Sequence, residues 1–182
     1  PGLRVVMPST VQDARDLLIS SVLCDDPVLY IDDRWLYEKQ EFLPPIKKIS
    51  LKDVKPKYLQ KGVDLTIVGA GFSAHLGLEA AKKVFEYESL SCEVIDLRVI
   101  NPFNNELIIE SVEKTGNLLV IDGGWKTCGL SSEVLASIYE NVEIKNLKKN
   151  ARRITLKNTP APTASNLEKW YYPNLDLILE NI

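Results

Sequence analysis

Histidine is almost missing from this chain. A single residue, His75, occurs among 182, so any Ser-His-Asp or Cys-His arrangement must run through it. A zinc site with two histidine ligands is excluded. The position of His75, in the first turns of an expected helix, marks a surface residue rather than a catalytic base. Cysteine is nearly as scarce. Cys24, Cys92 and Cys128 are odd in number and far apart, with neither the short pair spacing of a metal site nor a disulfide framework. That usage fits a reducing cytoplasm. No apolar run reaches the roughly 18 residues of a membrane span, and no basic-then-apolar leader is present. The formal net charge of −3 gives no electrostatic reason to bind nucleic acid. The one basic cluster, Lys145–Arg153, carries five positive charges without interleaved aromatics and reads as a solvated helix end and turn.

What the chain has is alternation. Hydrophobic content of 45% and charged content of 26% describe an ordinary globular protein with room for one domain, or one and a fraction. Pro-Gly leads at once into a strand, Leu3–Met7, and so abrupt an opening is expected of an excised fragment. Ser9 or Thr10 is the expected N-cap, with Gln12 in capping-box spacing from Ser9. The next helix, Val11–Leu23, places Ala14, Leu17, Leu18, Ser21 and Val22 on one face. Asp25-Asp26-Pro27 stops it before a short strand, Val28–Ile31. Residues 33–62, broken by Pro44-Pro45 and Pro56, read as a surface linker with at most a short strand at Ile46–Ile49.

From there strands and helices take turns. Strands are predicted at Leu65–Val68, Glu93–Asp96, Asn117–Asp122 and Arg152–Leu156. Helices are predicted at Ala74–Tyr87, Asn104–Thr115, Gly129–Asn141 and Leu175–Asn181. Such alternation implies an α/β fold in three layers around a mostly parallel sheet. The richest stretch is Cys92–Asn105, where Asp96 and Arg98 stand at a strand's carboxyl end, the edge at which open α/β sheets meet ligands and partners.

Two other stretches carry chemistry in principle. Gly69-Ala70-Gly71-Phe72-Ser73 links a strand to a helix and can cradle a phosphate. The dinucleotide pattern wants a third glycine where Ala74 stands, and its acid would be Asp96; a tight turn is the simpler reading. Cys128 precedes a helix N-terminus, a setting that lowers a thiol pKa, but without a positioned base it reads as an incidental thiol. Asp122-Gly123-Gly124-Trp125 reads as a strand-to-loop exit, either turn chemistry or a subunit-contact loop.

A series of motifs runs through the whole chain in order. It begins with Pro1-Gly-Leu-Arg-Val-Val-Met-Pro-Ser-Thr10 and Asp13-Ala14, then Asp26-Pro27-Val28 and Arg34-Trp35-Leu36-Tyr37. It continues with Asp64–Gly69, Leu78-Glu79-Ala80-Ala81, Glu93–Arg98 and Ser111–Gly116. Asp122-Gly-Gly-Trp125 with Gly129 and Glu133 follows, then Thr159-Pro160-Ala161-Pro162 and Leu167-Glu168-Lys169. Each motif alone is weak. The ordered set resembles the C-terminal part of transketolase-superfamily thiamine-diphosphate enzymes, and most closely the E1 β subunit of 2-oxo-acid dehydrogenases.

The resemblance implies a division at 1–37, the tail of a pyrimidine-binding domain with a βαβ pattern, 38–62, a linker, and 63–182, a transketolase C-terminal-like domain. The implied parent is an enzyme that oxidatively decarboxylates a 2-oxo acid on thiamine diphosphate with magnesium and passes the acyl group to lipoamide. Its activating glutamate lies upstream of anything here, so no catalytic or cofactor-binding residue is assigned and the chain alone is expected to be inactive. The implied partners are a second copy in a homodimer, the E1 α subunit and the E2 acyltransferase. By the same resemblance, carbonyls of Ser21, Val22 and Cys24 with the Asp26 side chain form a candidate monovalent-cation site. Cys24 stands where the family has aspartate, and Asp32-Asp33 where it has Glu-His. The aromatic tail Trp170-Tyr171-Tyr172, read as irregular, serves either a partner surface or this domain's own core, and the carboxylate of Ile182 joins E2 recognition by analogy. Two other readings stand beside this one, a sugar-transferring transketolase-like enzyme and a freestanding interaction module.

Overall fold

The computed structural model describes residues 2–182; Pro1, which opens the first motif, lies outside them. The chain opens with β1 (Arg4–Val6), α1 (Val11–Val22) and β2 (Val28–Tyr30). Thr10 is the N-cap of α1, its hydroxyl accepting the Asp13 N–H at 3.2 Å. β1 runs parallel to β2 and antiparallel to β6 (Val99–Asn101), giving a three-stranded sheet over a small core of Val6, Leu17, Leu51, Val54 and Val99.

The larger unit holds β3 (Lys57–Gln60), β4 (Leu65–Gly69), α2 (Phe72–Glu88), β5 (Cys92–Asp96), α3 (Glu106–Thr115), β7 (Leu118–Trp125), α4 (Leu130–Asn141), β8 (Arg152–Leu156), α5 (Ser165–Tyr171) and α6 (Leu175–Leu179). Its sheet has the order β3-β5-β4-β7-β8, parallel except for β3 at one edge. Successive strand residues point to opposite faces, and here both faces are covered, so β4, β5 and β7 are apolar on both. Ile67, Val94, Ile121 and Ile154 meet Leu76, Ala80 and Val84 of α2 and Ile178 of α6. Val68, Ile95 and Val120 meet Ile108 and Val112 of α3 with Val134 and Ile138 of α4. This is the three-layer, mostly parallel α/β architecture expected from the alternation. Gly77 permits the close approach of α2, because a Cβ there would stand 2.9 Å from Ile67 Cγ2.

Four expectations need correction. No strand forms at Ile46–Ile49, where Ile46 and Ile49 are exposed; the strand of this region is β3, paired antiparallel to β5. Val99–Asn101, outside every predicted element, is a strand because β1 lies alongside to pair with it. β7 does not stop at Asp122 but runs through Gly123 and Gly124 to Trp125, with a register shift against β8. The tail 165–171 is helical, ending before Pro173, which cannot continue a helix.

The face of α1 is also different. Asp13, Asp16, Leu17 and Ser20 are buried, whereas Leu18 and Val22 point outward. The buried acids face Arg98, Lys57 and Arg15, partners that helical periodicity cannot see.

Candidate functional site

Asp96 ends β5 with no exposed surface. Its carboxylate accepts the Ser9 hydroxyl and, at 3.1 Å, the backbone N–H of Arg98. Burial pushes its pKa up to about 6, against the pull of the Ser9 hydrogen bond. Arg98 takes a left-handed backbone conformation, φ 61°, and sends its guanidinium back to Asp13, 2.7 Å away and 3% exposed. Lys57 of β3 pairs with the other oxygen of Asp13. The acid and base singled out at this strand end therefore meet the start of α1 in one network. Its perturbed carboxyl has the signature of a functional acid, yet no substrate reaches an atom without solvent access. The network is a latch between the small sheet and the large one.

A second buried acid escaped the sequence reading. Glu93, fully buried in β5, accepts Ser111 Oγ at 2.6 Å and Lys114 Nζ at 2.5 Å. Ser111 Oγ also lies 2.7 Å from Thr66 Oγ1, which lies 2.7 Å from Thr115 Oγ1. A lone acid in a strand gives no sequence signal for partners supplied by a later helix.

Between the carboxyl ends of β4 and β7 lies a crevice of about 470 Å³. The chain leaves β4 for β5 on one side and reaches β7 on the other, so this is the topological switch point of the sheet. Met7, Ala70, Phe72, Leu76, Ile100 and Leu130 supply apolar wall, Trp35 and Tyr172 stand at it, and Asp33 and Asp122 are its charged members. Asp122 is 6% exposed and accepts the N–H of Gly124 and of Ser131, each at 2.8 Å. Asp33 accepts the N–H of Trp35 and of Phe72, each at 3.2 Å. Trp35 meets Phe72 edge to face at 4.7 Å and Tyr172 at 5.3 Å between centroids.

The glycine turn after β4 is tight, as the simpler reading has it. Gly71 has φ 55°, and a Cβ there would stand 2.6 Å from Met7 Cε, so the place of a bound phosphate is filled by a side chain. His75 bonds Glu79 at 3.0 Å one turn on and stacks on Phe72. Cys128 is exposed just before α4.

The candidate cation ligands Ser21, Val22, Cys24 and Asp26 gather at the end of α1. Two are engaged: the Ser21 carbonyl accepts the Cys24 N–H at 3.3 Å, and Asp26 is bound by Arg4 Nε at 2.8 Å. That hydrogen bond holds the Asp26 carboxyl below the usual carboxylate range. Among the described residues no group of three or more His, Cys, Asp or Glu is arranged to hold a metal ion.

The aromatic tail divides. Trp170 is 76% exposed. Tyr171 is buried, its hydroxyl accepting Trp125 Nε1 at 3.2 Å and donating to the Thr159 carbonyl at 3.0 Å. Tyr172 lines the crevice. Ile182 lies at the opposite end of the sheet, in a cavity of about 600 Å³ bordered by Lys148, Lys149 and Arg152. No described helix is long and apolar enough to cross a membrane.

Comparison with known proteins agrees with this architecture. The family profile described as "Transketolase, C-terminal domain" matches residues 55–178. The β subunit of a mitochondrial 2-oxoisovalerate dehydrogenase from Dictyostelium discoideum is 34% identical over 174 residues, covering 96% of this chain and 46% of that protein. The pyruvate dehydrogenase E1 component subunit beta of Bacillus subtilis is 34% identical over 180 residues, covering 99% of this chain and 54% of its own length. The chain thus spans about half the length of these relatives. Among solved structures, one described as "Split gene transketolase, inactive beta4 tetramer" superposes with a TM-score of 0.72 at 23% identity, covering 99% of this chain and 56% of that one; this likeness is one of fold.

Proposed function

The chain belongs to the transketolase C-terminal domain family, and from that premise we propose that it is the C-terminal part of an E1 β-like subunit. Its role there is assembly and docking, within an enzyme that oxidatively decarboxylates a 2-oxo acid and transfers the acyl group to lipoamide. The observation that carries this reading is the alignment of nearly the whole chain, at 34% identity, with β subunits of pyruvate and 2-oxoisovalerate dehydrogenases.

Within this reading, residues 1–37 are the tail of a pyrimidine-binding domain and 63–182 the C-terminal module. The connection, 38–62, lends Lys57–Gln60 to the sheet. Thiamine diphosphate and magnesium belong to the parent enzyme, where the cofactor supplies carbanion chemistry. The residues here do not fit that group: the glycine turn is filled by Met7, and the strand-end acid Asp96 is sealed from solvent. The work of this chain is therefore positioning. The latch of Asp13, Asp96 and Arg98 fixes the small sheet against the large one, and with it whatever the small sheet carries.

The partners proposed are a second copy of this chain, an E1 α subunit and E2, in a cytoplasmic complex. Trp170 is the exposed aromatic of the tail available to a partner, with Ile182 as a second contact. A monovalent cation at Ser21, Val22, Cys24 and Asp26 would require Asp26 to exchange Arg4 for the ion.

The test is capture by an immobilised E2 subunit-binding fragment. Saturable retention of this chain is expected. A chain that ignores E2, from a full-length protein that converts sugar phosphates, would replace the E1 reading with the transketolase one. Indifference to E2 from a protein with neither activity would leave a freestanding interaction module.

A further inference from the structure

We propose that the switch-point crevice binds a small organic cation with an apolar body, an alkyl- or arylammonium group. The inference does not rest on the E1 reading. The volume, about 470 Å³, lies in the range of small-molecule sites, and its position between β4 and β7 is where open α/β sheets take ligands.

The chemistry of the walls decides the charge of the occupant. Such crevices ordinarily hold anions, because helix N-termini point free N–H groups into them. Here those groups are already taken by the chain's own carboxylates. Asp33 accepts the Phe72 N–H that opens α2, and Asp122 accepts the Ser131 N–H in the first turn of α4. The glycine turn that would wrap a phosphate is packed by Met7. Among the described residues no lysine, arginine or histidine lines the crevice, and the two charged side chains there, Asp33 and Asp122, are both negative. Each of the four carboxylate oxygens accepts one backbone N–H, which leaves each a second lone pair for a cation.

The aromatic residues favour the same charge. Trp35 is half exposed and meets Phe72 at 72° and Tyr172 at 68° between ring planes. Rings set edge to face turn their π surfaces in different directions, and an ammonium group over such a surface is attracted by the ring quadrupole. Met7, Ile31, Leu76, Ile100 and Leu130 take the apolar body. Carboxylate substrates and phosphates meet only like charge here.

The probe is benzyltrimethylammonium, titrated into the full chain with calorimetry and tryptophan fluorescence as readouts. Its uncharged isostere, neopentylbenzene, and benzoate serve as controls. Saturable binding of the cation is expected, at least about tenfold tighter than the isostere, with no binding of benzoate. Trp35→Phe removes the fluorescence response, and Asp33→Asn weakens the cation about tenfold while leaving the isostere unchanged. That differential keeps the test valid even if the variant is less stable, since a damaged crevice would lose both probes together. Equal affinity for cation and isostere, preference for benzoate, or no saturable binding of the cation would each overturn the proposal.

Discussion

Arg98 reaches back across 85 positions of sequence to bind Asp13, its guanidinium nitrogen 2.7 Å from the carboxylate. Both side chains are largely withdrawn from water, 14% and 4% exposed. Attraction at such a site is large only because the alternative is an uncompensated buried charge. Replacing Arg98 with methionine leaves Asp13 with Lys57 alone, and the expected loss of stability in urea unfolding is about 3 kcal/mol. Asp13→Asn combined with the methionine restores part of it, since the buried carboxylate is then gone and only the partly exposed Lys57 loses its partner. A loss below about 0.5 kcal/mol, the scale of an ordinary surface change, would show that the latch does not hold the sheets together.

Asp96 sets a pH dependence of the opposite sign to most carboxylates. Its folded pKa, about 6, lies above the ordinary value of 3.8, so between those values the folded state binds the extra proton. Stability is greatest with respect to this group below pH 3.8 and falls as pH rises through 6, by about 3 kcal/mol for a shift of this size. Asp96→Asn keeps an acceptor for the Arg98 N–H and offers a donor to Ser9. The variant is expected to be more stable than the parent at pH 7.5 and to show a flatter profile between pH 4 and 6. Unfolding titrations at pH 4.5 and 7.5 decide it; an unchanged slope in the variant would assign the pH dependence to other groups.

The three thiols should react in order of access. Cys128 is exposed, Cys24 half-buried and Cys92 fully buried, with burial pushing the Cys92 thiol up to about 11. Because the thiolate is the nucleophile, an aromatic disulfide reagent at pH 8 is expected to consume one thiol fast, one slowly, and the third only after denaturant is added. Immediate reaction of all three would mean that β5 opens in the native state.

How much of this was legible follows from where each partner lies in sequence. Strand β8 was bounded residue for residue, and the four helices predicted in the large unit fell within about two positions, because apolar spacing and caps are local signals; the helix Ser165–Tyr171 was missed. β3 was invisible: Lys57-Tyr58-Leu59-Gln60 is four half-buried residues after a proline, and its strand character comes from β5, some 35 positions on. The buried face of α1 was misread for the same reason, since Arg98 and Lys57, both far along the chain, hold Asp13 inward. The crevice is assembled from the end of β1, the turn at 33–35, two helix starts and the tail, so no window of sequence contains it. Asp96 and Arg98 were legible as an acid and a base at a strand end, but their role as a latch needed Asp13 and Ser9 in place.

The tail supplies a contrast between two adjacent aromatics that a single binding experiment can separate. Tyr171 joins Trp125 to the Thr159 carbonyl through its hydroxyl, so Tyr171→Phe removes two hydrogen bonds from a buried site and is expected to cost about 1 to 2 kcal/mol. Trp170 is 76% exposed, with little folding energy to lose, and Trp170→Ala is expected to stay within about 0.5 kcal/mol of the parent. If the exposed indole is a partner contact, the order reverses in binding: Trp170→Ala weakens capture by the E2 fragment about tenfold or more, the scale of an interface tryptophan, while Tyr171→Phe, assayed well below its melting temperature, binds as the parent does. Equal binding by parent and Trp170→Ala would remove this side chain from the docking surface and move the search to Ile182 and its basic neighbours at the other end of the sheet.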